Sequence, residues 1–222
     1  MTAKSVFEIL GPVMVGPSSS HTAGAARIGR IARNILNEEP AQAVITLYGS
    51  FALTYKGHGT DRALVGGLLD MDTDDVRIKD ALLIAAARGL VFTFDFADAN
   101  DLHPNTAGLL LTGSTGRKVF VEGSSVGGGN VIITKVNDFT VNVTGRYPAM
   151  LVKHRDKPGV IGQVTTVLGK NNINIGHMTM SRDTSGAEKL MVVETDQAIL
   201  EDVLETIRQL PHISDAVKIG PV

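Results

Sequence analysis

The sequence predicts an α+β chain, with an antiparallel sheet over residues 1–146 and a ferredoxin-like β-α-β-β-α-β unit over residues 147–222. Three observations predict it. Short apolar runs follow one another through Gly- and Asn-bearing turns up to residue 144. The pattern then changes at Gly145-Arg146-Tyr147-Pro148. Beyond that point apolar residues switch between alternating and helical spacing in the order strand, helix, strand, strand, helix, strand. At 222 residues and 23.5 kDa the chain is long enough to bury one large core or two modest ones.

Apolar spacing predicts helices over residues 22–36, 61–69 and 75–88, the last with Ile78, Ala81, Leu82, Ala85 and Ala86 on one face. Strands are expected at 43–49, 90–96, 108–112, 117–123, 130–136 and 139–144, the later ones joined by turns such as Gly113-Ser114-Thr115-Gly116 and Asn137-Asp138. In the second half, Met150, Val152 and His154 alternate with Leu151 and Lys153 as a strand, and Asp156-Lys157-Pro158-Gly159 is a turn. Val160, Val164, Val167 and Leu168 then make a helix face that Asn171-Asn172 stops. Strands over 173–181 and 189–194 flank a hairpin turn at 182–186. A helix carries Ile199, Val203, Ile207 and Leu210 with Thr195 or Asp196 as its cap, and 213–219 is the last strand. Met178 and Met180 alternate along their strand and are expected in the core. Asp72-Thr73-Asp74-Asp75 lacks the glycine and distal Glu of a calcium loop and is expected to start a helix.

Composition excludes several functions. Apolar residues make 43%, charged residues 20%, and 21 Lys+Arg against 23 Asp+Glu leave a net charge of −2. With cations scattered singly, nucleic acid is not an expected partner. Cys is absent, so the chain itself holds no disulfide, thiolate nucleophile, thiolate zinc or Cys-ligated iron–sulfur cluster. The first eight residues lack the apolar core of a signal peptide and no run reaches the roughly eighteen apolar residues of a span, so a cytoplasmic chain without membrane contact is expected. Gly at 24 residues favours close backbone approaches.

Four segments carry candidate chemistry. Gly16-Pro17-Ser18-Ser19-Ser20-His21-Thr22 precedes a helix, so hydroxyls, an imidazole and free helix-start N–H groups converge where a carboxylate or phosphate would bind. A single Ser or Thr would suffice for capping. In Lys56-Gly57-His58-Gly59-Thr60-Asp61 the flanking glycines bare the imidazole to an approaching group, and Thr60 or Asp61 is placed to cap the next helix. His103-Pro104-Asn105-Thr106 is a polar loop, read alone as a turn. Gly127-Gly128-Gly129 marks either a bulge or a contact with ligand, and spacing does not choose between them. No His pair has metal-ligand spacing, so a His21–His58–His103 metal triad is not expected.

These segments, with Val6-Phe7-Glu8-Ile9-Leu10-Gly11-Pro12-Val13, Gly49-Ser50-Phe51 and Ser125-Val126-Gly127-Gly128-Gly129, closely resemble the β subunits of bacterial iron–sulfur-dependent L-serine dehydratases along the whole chain. The C-terminal unit resembles an ACT domain, and the family's N-terminal domain is similar to the allosteric substrate-binding domain of some phosphoglycerate dehydrogenases. The resemblance implies a lyase component, inactive alone. A separate Cys-bearing α subunit would ligate a [4Fe-4S] cluster, and the pair would convert L-serine to pyruvate and ammonia. Ser18, Ser19, Ser20 and Thr22 are expected to hold the substrate carboxylate, His21 and His58 to orient groups or relay protons, and His103, Asn105, Gly127 and Gly128 to line the pocket. The ACT resemblance implies an effector site around Asp156, Gly159, Val160 and Ile161, facing Asn172 and Asn174 of a neighbouring copy in a homodimer. The competing reading is a regulatory amino-acid sensor without catalytic role. A self-sufficient hydrolase using Ser20 and His21 is disfavoured, because adjacent residues rarely place hydroxyl and imidazole productively.

Overall fold

In the computed structural model, the structure describes residues 12–183, 186 and 188–222. The Val6–Gly11 part of the first motif and Thr184 and Ser185 of the hairpin turn lie outside these. A π-helical turn, Ser19–Ala23, runs into α1, Gly24–Leu36; then come β1, Pro40–Tyr48, α2, Gly49–His58, and α3, Thr60–Leu68. A 3-10 turn, Val76–Asp80, leads into α4, Ala81–Ala87. The strands β2, Val91–Ala97, β3, Thr106–Gly113, β4, Lys118–Gly127, β5, Asn130–Val136, and β6, Phe139–Val143, complete the first half. Its six-stranded sheet has the order β2-β1-β3-β4-β5-β6. Every neighbour is antiparallel except β1 and β2, which run parallel because α2, α3 and α4 form the crossover between them.

The second half is β7, Ala149–Arg155, α5, Val160–Lys170, β8, Ile175–Arg182, β9, Glu188–Thr195, α6, Glu201–Arg208, and β10, Ile213–Ile219. Its antiparallel sheet runs β10-β7-β9-β8, the ferredoxin-like arrangement. Met150, Val152, Met191 and Val193 face α5 and α6, burying Val164, Leu168, Leu204 and Ile207. The alternate residues Leu151, Leu190, Val192, Val217 and Ile219 face the other way and join the core of the first half. The small sheet is therefore covered on both faces, and the two halves share one apolar layer.

Several sequence expectations are corrected. Residues 49–58 form a helix, so His58 ends α2 and Gly59, at φ 68°, is its left-handed cap; the segment shows weak apolar periodicity and buries only Phe51. Neither Thr60 nor Asp61 caps α3, and Asp61 accepts from the Arg62 N–H instead. The N-cap of α6 is Leu200; Thr195 donates to the carbonyls of Gln197 and Pro148. Met178 and Met180 are 37% and 39% exposed: they lie opposite Val193 and Met191 on the face that carries α5 and α6, but at the edge strand β8 they escape full cover. Asp75 does start the 3-10 turn, accepting from the Arg77 N–H.

The helices α1 and α3 cross at glycine on the inner face of the large sheet. A Cβ added to Gly67 would stand 2.1 Å from the Ala26 carbonyl oxygen, and one on Gly29 would stand 2.3 Å from the Leu64 carbonyl oxygen. Such backbone contact fixes α1, with the π-turn at its start, against α3, which follows His58.

Candidate functional site

The serine run folds as a π-turn because its capping is local. Ser18 is extended at φ −142°, its Oγ accepts from the His21 N–H at 3.1 Å, and its carbonyl accepts from the Thr22 N–H at 2.8 Å. The first-turn N–H groups of Ser19 and Ser20 have no intrahelical acceptor, and residues 18–21 are all half-buried, within reach of a ligand. π-turns of this kind concentrate at functional sites.

His21 projects from the turn onto α2. Its Nε2 lies 3.0 Å from Ser50 Oγ and its Nδ1 3.4 Å from Ser18 Oγ. Its ring centroid is 4.7 Å from that of His58, and Phe51 meets it edge-on at 5.4 Å. Ser50, Thr54 and His58 recur at i, i+4 and i+8 and so share one face of α2. Thr54 Oγ1 donates to the Ser50 carbonyl at 2.8 Å, holding that face together. Burial, followed by the charge of neighbouring His58, holds His21 below its ordinary pKa of 6.5. Among the described residues His58 Nδ1 is buried with no hydrogen-bond partner.

The structure brings together Ser18, Ser19, Ser20, His21 and His58 and adds Ser50, which sequence reasoning did not assign a role. The signal for Ser50 was its four-residue spacing to Thr54 and His58, readable only once residues 49–58 are recognised as a helix. Thr22 is corrected: it is 2% exposed and its hydroxyl donates to the His58 carbonyl at 3.0 Å, so it ties the π-turn to the end of α2 and has no donor left for a substrate.

The 103–106 loop also reaches the site. The Pro104 carbonyl accepts from the Phe51 N–H at 3.3 Å, and Gly49, at φ 52°, gives it room that a Cβ would fill at 2.8 Å. His103 is exposed, its Nδ1 accepting from the Asn105 N–H at 3.1 Å, and the Asn105 carbonyl accepts from the Ser125 N–H at 2.9 Å. Ser125 fills the space above Gly24, and among the described residues its Oγ is buried without a partner. Gly127 and Gly128, at φ 104° and 61°, form the β4–β5 turn with Gly129, whose carbonyl accepts from Arg27 at 2.7 Å; Asn130 Nδ2 donates to the Gly127 carbonyl at 3.0 Å. That turn is explained by backbone conformation.

In the second half, Asp156 pairs with Lys189 at 2.8 Å, which holds its carboxyl below the usual range. Gly159, at φ 88°, caps α5, Val160 is buried and Ile161 is 38% exposed. Asn172 and Asn174 stand at the opposite end of α5, where Asn174 Nδ2 donates to Asp196 at 2.6 Å. Within one chain the two groups do not meet.

Two family profiles match the sequence: "Serine dehydratase beta chain" over residues 5–89 and "ACT domain" over residues 149–212. The chain is 50% identical over 220 residues to a "Probable L-serine dehydratase, beta chain" of Bacillus subtilis, covering 99% of this chain and 100% of that one. It is 38% identical over 217 residues to the "L-serine dehydratase, beta chain" of Peptoniphilus asaccharolyticus, covering 97% and 98% respectively. A D-3-phosphoglycerate dehydrogenase of Archaeoglobus fulgidus is 29% identical over 195 residues, covering 86% of this chain but 36% of that one.

Proposed function

This chain belongs to the L-serine dehydratase beta-chain family and carries an ACT domain, and we propose that with a Cys-bearing alpha subunit it forms a lyase converting L-serine to pyruvate and ammonia. The observation that carries the reading is His21 held between Ser50 Oγ at 3.0 Å and the His58 ring at 4.7 Å, beside free first-turn N–H groups. The chain has no Cys, and among the described residues no three His, Cys, Asp or Glu side chains converge as metal ligands, so its own residues do not fit the task of holding a [4Fe-4S] cluster. In this reading the thiolates and the Lewis-acid chemistry come from the alpha subunit, and the chain alone is inactive.

The residues of this chain bind and handle protons. The Ser19 and Ser20 N–H groups and hydroxyls receive the substrate carboxylate at the start of the π-turn, with Ser18 holding the turn closed. Burial and His58 disfavour a proton on His21, and in the tautomer with Nδ1–H toward Ser18 Oγ its Nε2 accepts from the Ser50 hydroxyl. A proton leaving the substrate enters through Ser50 Oγ, which passes its own to Nε2. Pairing of two copies through the ACT domain, with Asp156 and Gly159 of one facing Asn172 and Asn174 of the other, forms the effector site of the same reading.

Anaerobic co-expression with a Cys-bearing partner, purification of the pair and a pyruvate assay test the proposal. The pair should deaminate L-serine, and His21→Ala or His58→Ala should cut turnover by about 10²–10⁴. Near-normal kcat with both changes refutes the assignment.

A further inference from the structure

Beside the serine turn, walled by Gly16, Pro17, Thr22 and His58, lies a cavity of about 160 Å³. We propose that it binds a small, doubly charged oxyanion, either free phosphate or a phosphate monoester. The observation is a convergence of cations from three elements: Lys56 on α2, Arg62 on α3 and Lys79 on the 3-10 turn. No acid lines the cavity, and among the described residues none of the three cations makes an ion pair. The other nearby cations are neutralised: Arg30 by Asp70 and Asp72, Arg33 by Glu39 and Arg77 by Asp75. Three unpaired like charges around one hollow repel one another and set up a field that an anion relieves.

Size and shape narrow the ligand. The volume equals that of about five waters at roughly 30 Å³ each, room for a five-heavy-atom tetrahedral oxyanion and a short substituent. Added Cβ atoms at Gly57 and Gly59 would meet nothing within 4 Å, so the backbone leaves the entrance bare on either side of the imidazole. L-serine is the wrong ligand here, because its ammonium would face three cations and its net charge is zero. The cavity shares the His58 and Thr22 wall with the proposed lyase site, but none of Ser18, Ser19, Ser20 and Ser50 lines it, so phosphate binding here is read separately from turnover.

Calorimetry on the purified chain alone, with inorganic phosphate and with glycerol 2-phosphate at a fixed ionic strength of about 0.15 M, tests it. One phosphate per chain should bind, and Arg62→Gln with Lys79→Gln together should weaken it at least about tenfold, since each change removes a charge-assisted hydrogen bond to the anion. Both side chains are exposed, so far-UV circular dichroism of the double variant should match wild type. Tighter binding of the ester than of phosphate identifies a monoester as the occupant, and the reverse identifies free phosphate. Absence of phosphate binding, equal affinity in the double variant, or displacement by millimolar L-serine overturns the proposal. None of these readings depends on turnover, so failure here leaves the lyase proposal to its own test.

Discussion

The same chemical change, Gly to Ala inside a helix, should move stability in opposite directions at two positions. At Gly67 the new Cβ would stand 2.1 Å from the Ala26 carbonyl oxygen, 2.7 Å from the Arg30 nitrogen and 2.9 Å from Gly29 Cα, where ordinary contact begins at 3.4 Å. All three obstacles are backbone, so no side chain can turn aside and α1 must part from α3 by more than 1 Å. Overpacking of this kind costs about 1–3 kcal/mol and sometimes more, and with no relief available the upper end applies. Ala's better helix propensity returns about 1 kcal/mol, leaving a net loss of at least about 2 kcal/mol. At Gly57, near the end of α2, the Cβ would meet nothing within 4 Å, so only the propensity gain acts and the variant should be about 0.5–1 kcal/mol more stable. Urea unfolding followed by circular dichroism measures both. A Gly67→Ala chain as stable as wild type, or two shifts of the same sign, would show that the α1–α3 contact is looser than the geometry requires.

Thr22→Val keeps the shape of a buried side chain but leaves the His58 carbonyl without its 3.0 Å donor, and should cost roughly 1–3 kcal/mol in the same unfolding assay. Ser50→Ala should lower turnover of the reconstituted enzyme about tenfold, the equivalent of a hydrogen bond worth about 1.4 kcal/mol, and should move the NMR titration of His21, which a purely structural serine would not do. Because His21 titrates below its unfolded value, the unfolded chain binds this proton more readily. Its share of stability is whole above about pH 6.5 and falls away as pH drops through that value toward the folded pKa; unfolding between about pH 5 and 8 should show this slope, and His21→Gln should flatten it.

Where the fold was legible, one apolar face decided it. The helix α1 buries Ile28, Ile31, Ala32, Ile35 and Leu36, and the buried residues of β6 alternate along Phe139, Val141 and Val143, so period alone locates them. The helix α2 was hidden because Phe51 is its only buried residue and glycine stands at both its ends. Its Ser50, Thr54 and His58 face is polar, and a polar face carries no apolar period. The parallel β1–β2 pair escaped for a related reason: their pairing is decided by where α2, α3 and α4 carry the chain, which no local pattern records. His21 and His58 were legible because glycine and serine around them are more than a turn needs. Ser50 was not, since its partner lies 29 residues away.

The histidine pair itself argues against a merely structural origin for the site. A histidine kept for stability gains from a nearby carboxylate or a complete set of hydrogen bonds. His21 instead faces another imidazole at 4.7 Å, and both its burial and that neighbour act against a proton on it. His58 Nδ1 is buried and, among the described residues, unpartnered, a cost of about 1–3 kcal/mol. Among the described residues neither ring makes an ion pair, while Thr22 ties the turn to the His58 carbonyl and Thr54 bonds to the Ser50 carbonyl. An arrangement that costs stability is the pattern expected of the proposed chemical role, since packing alone favours an apolar side chain in place of one ring.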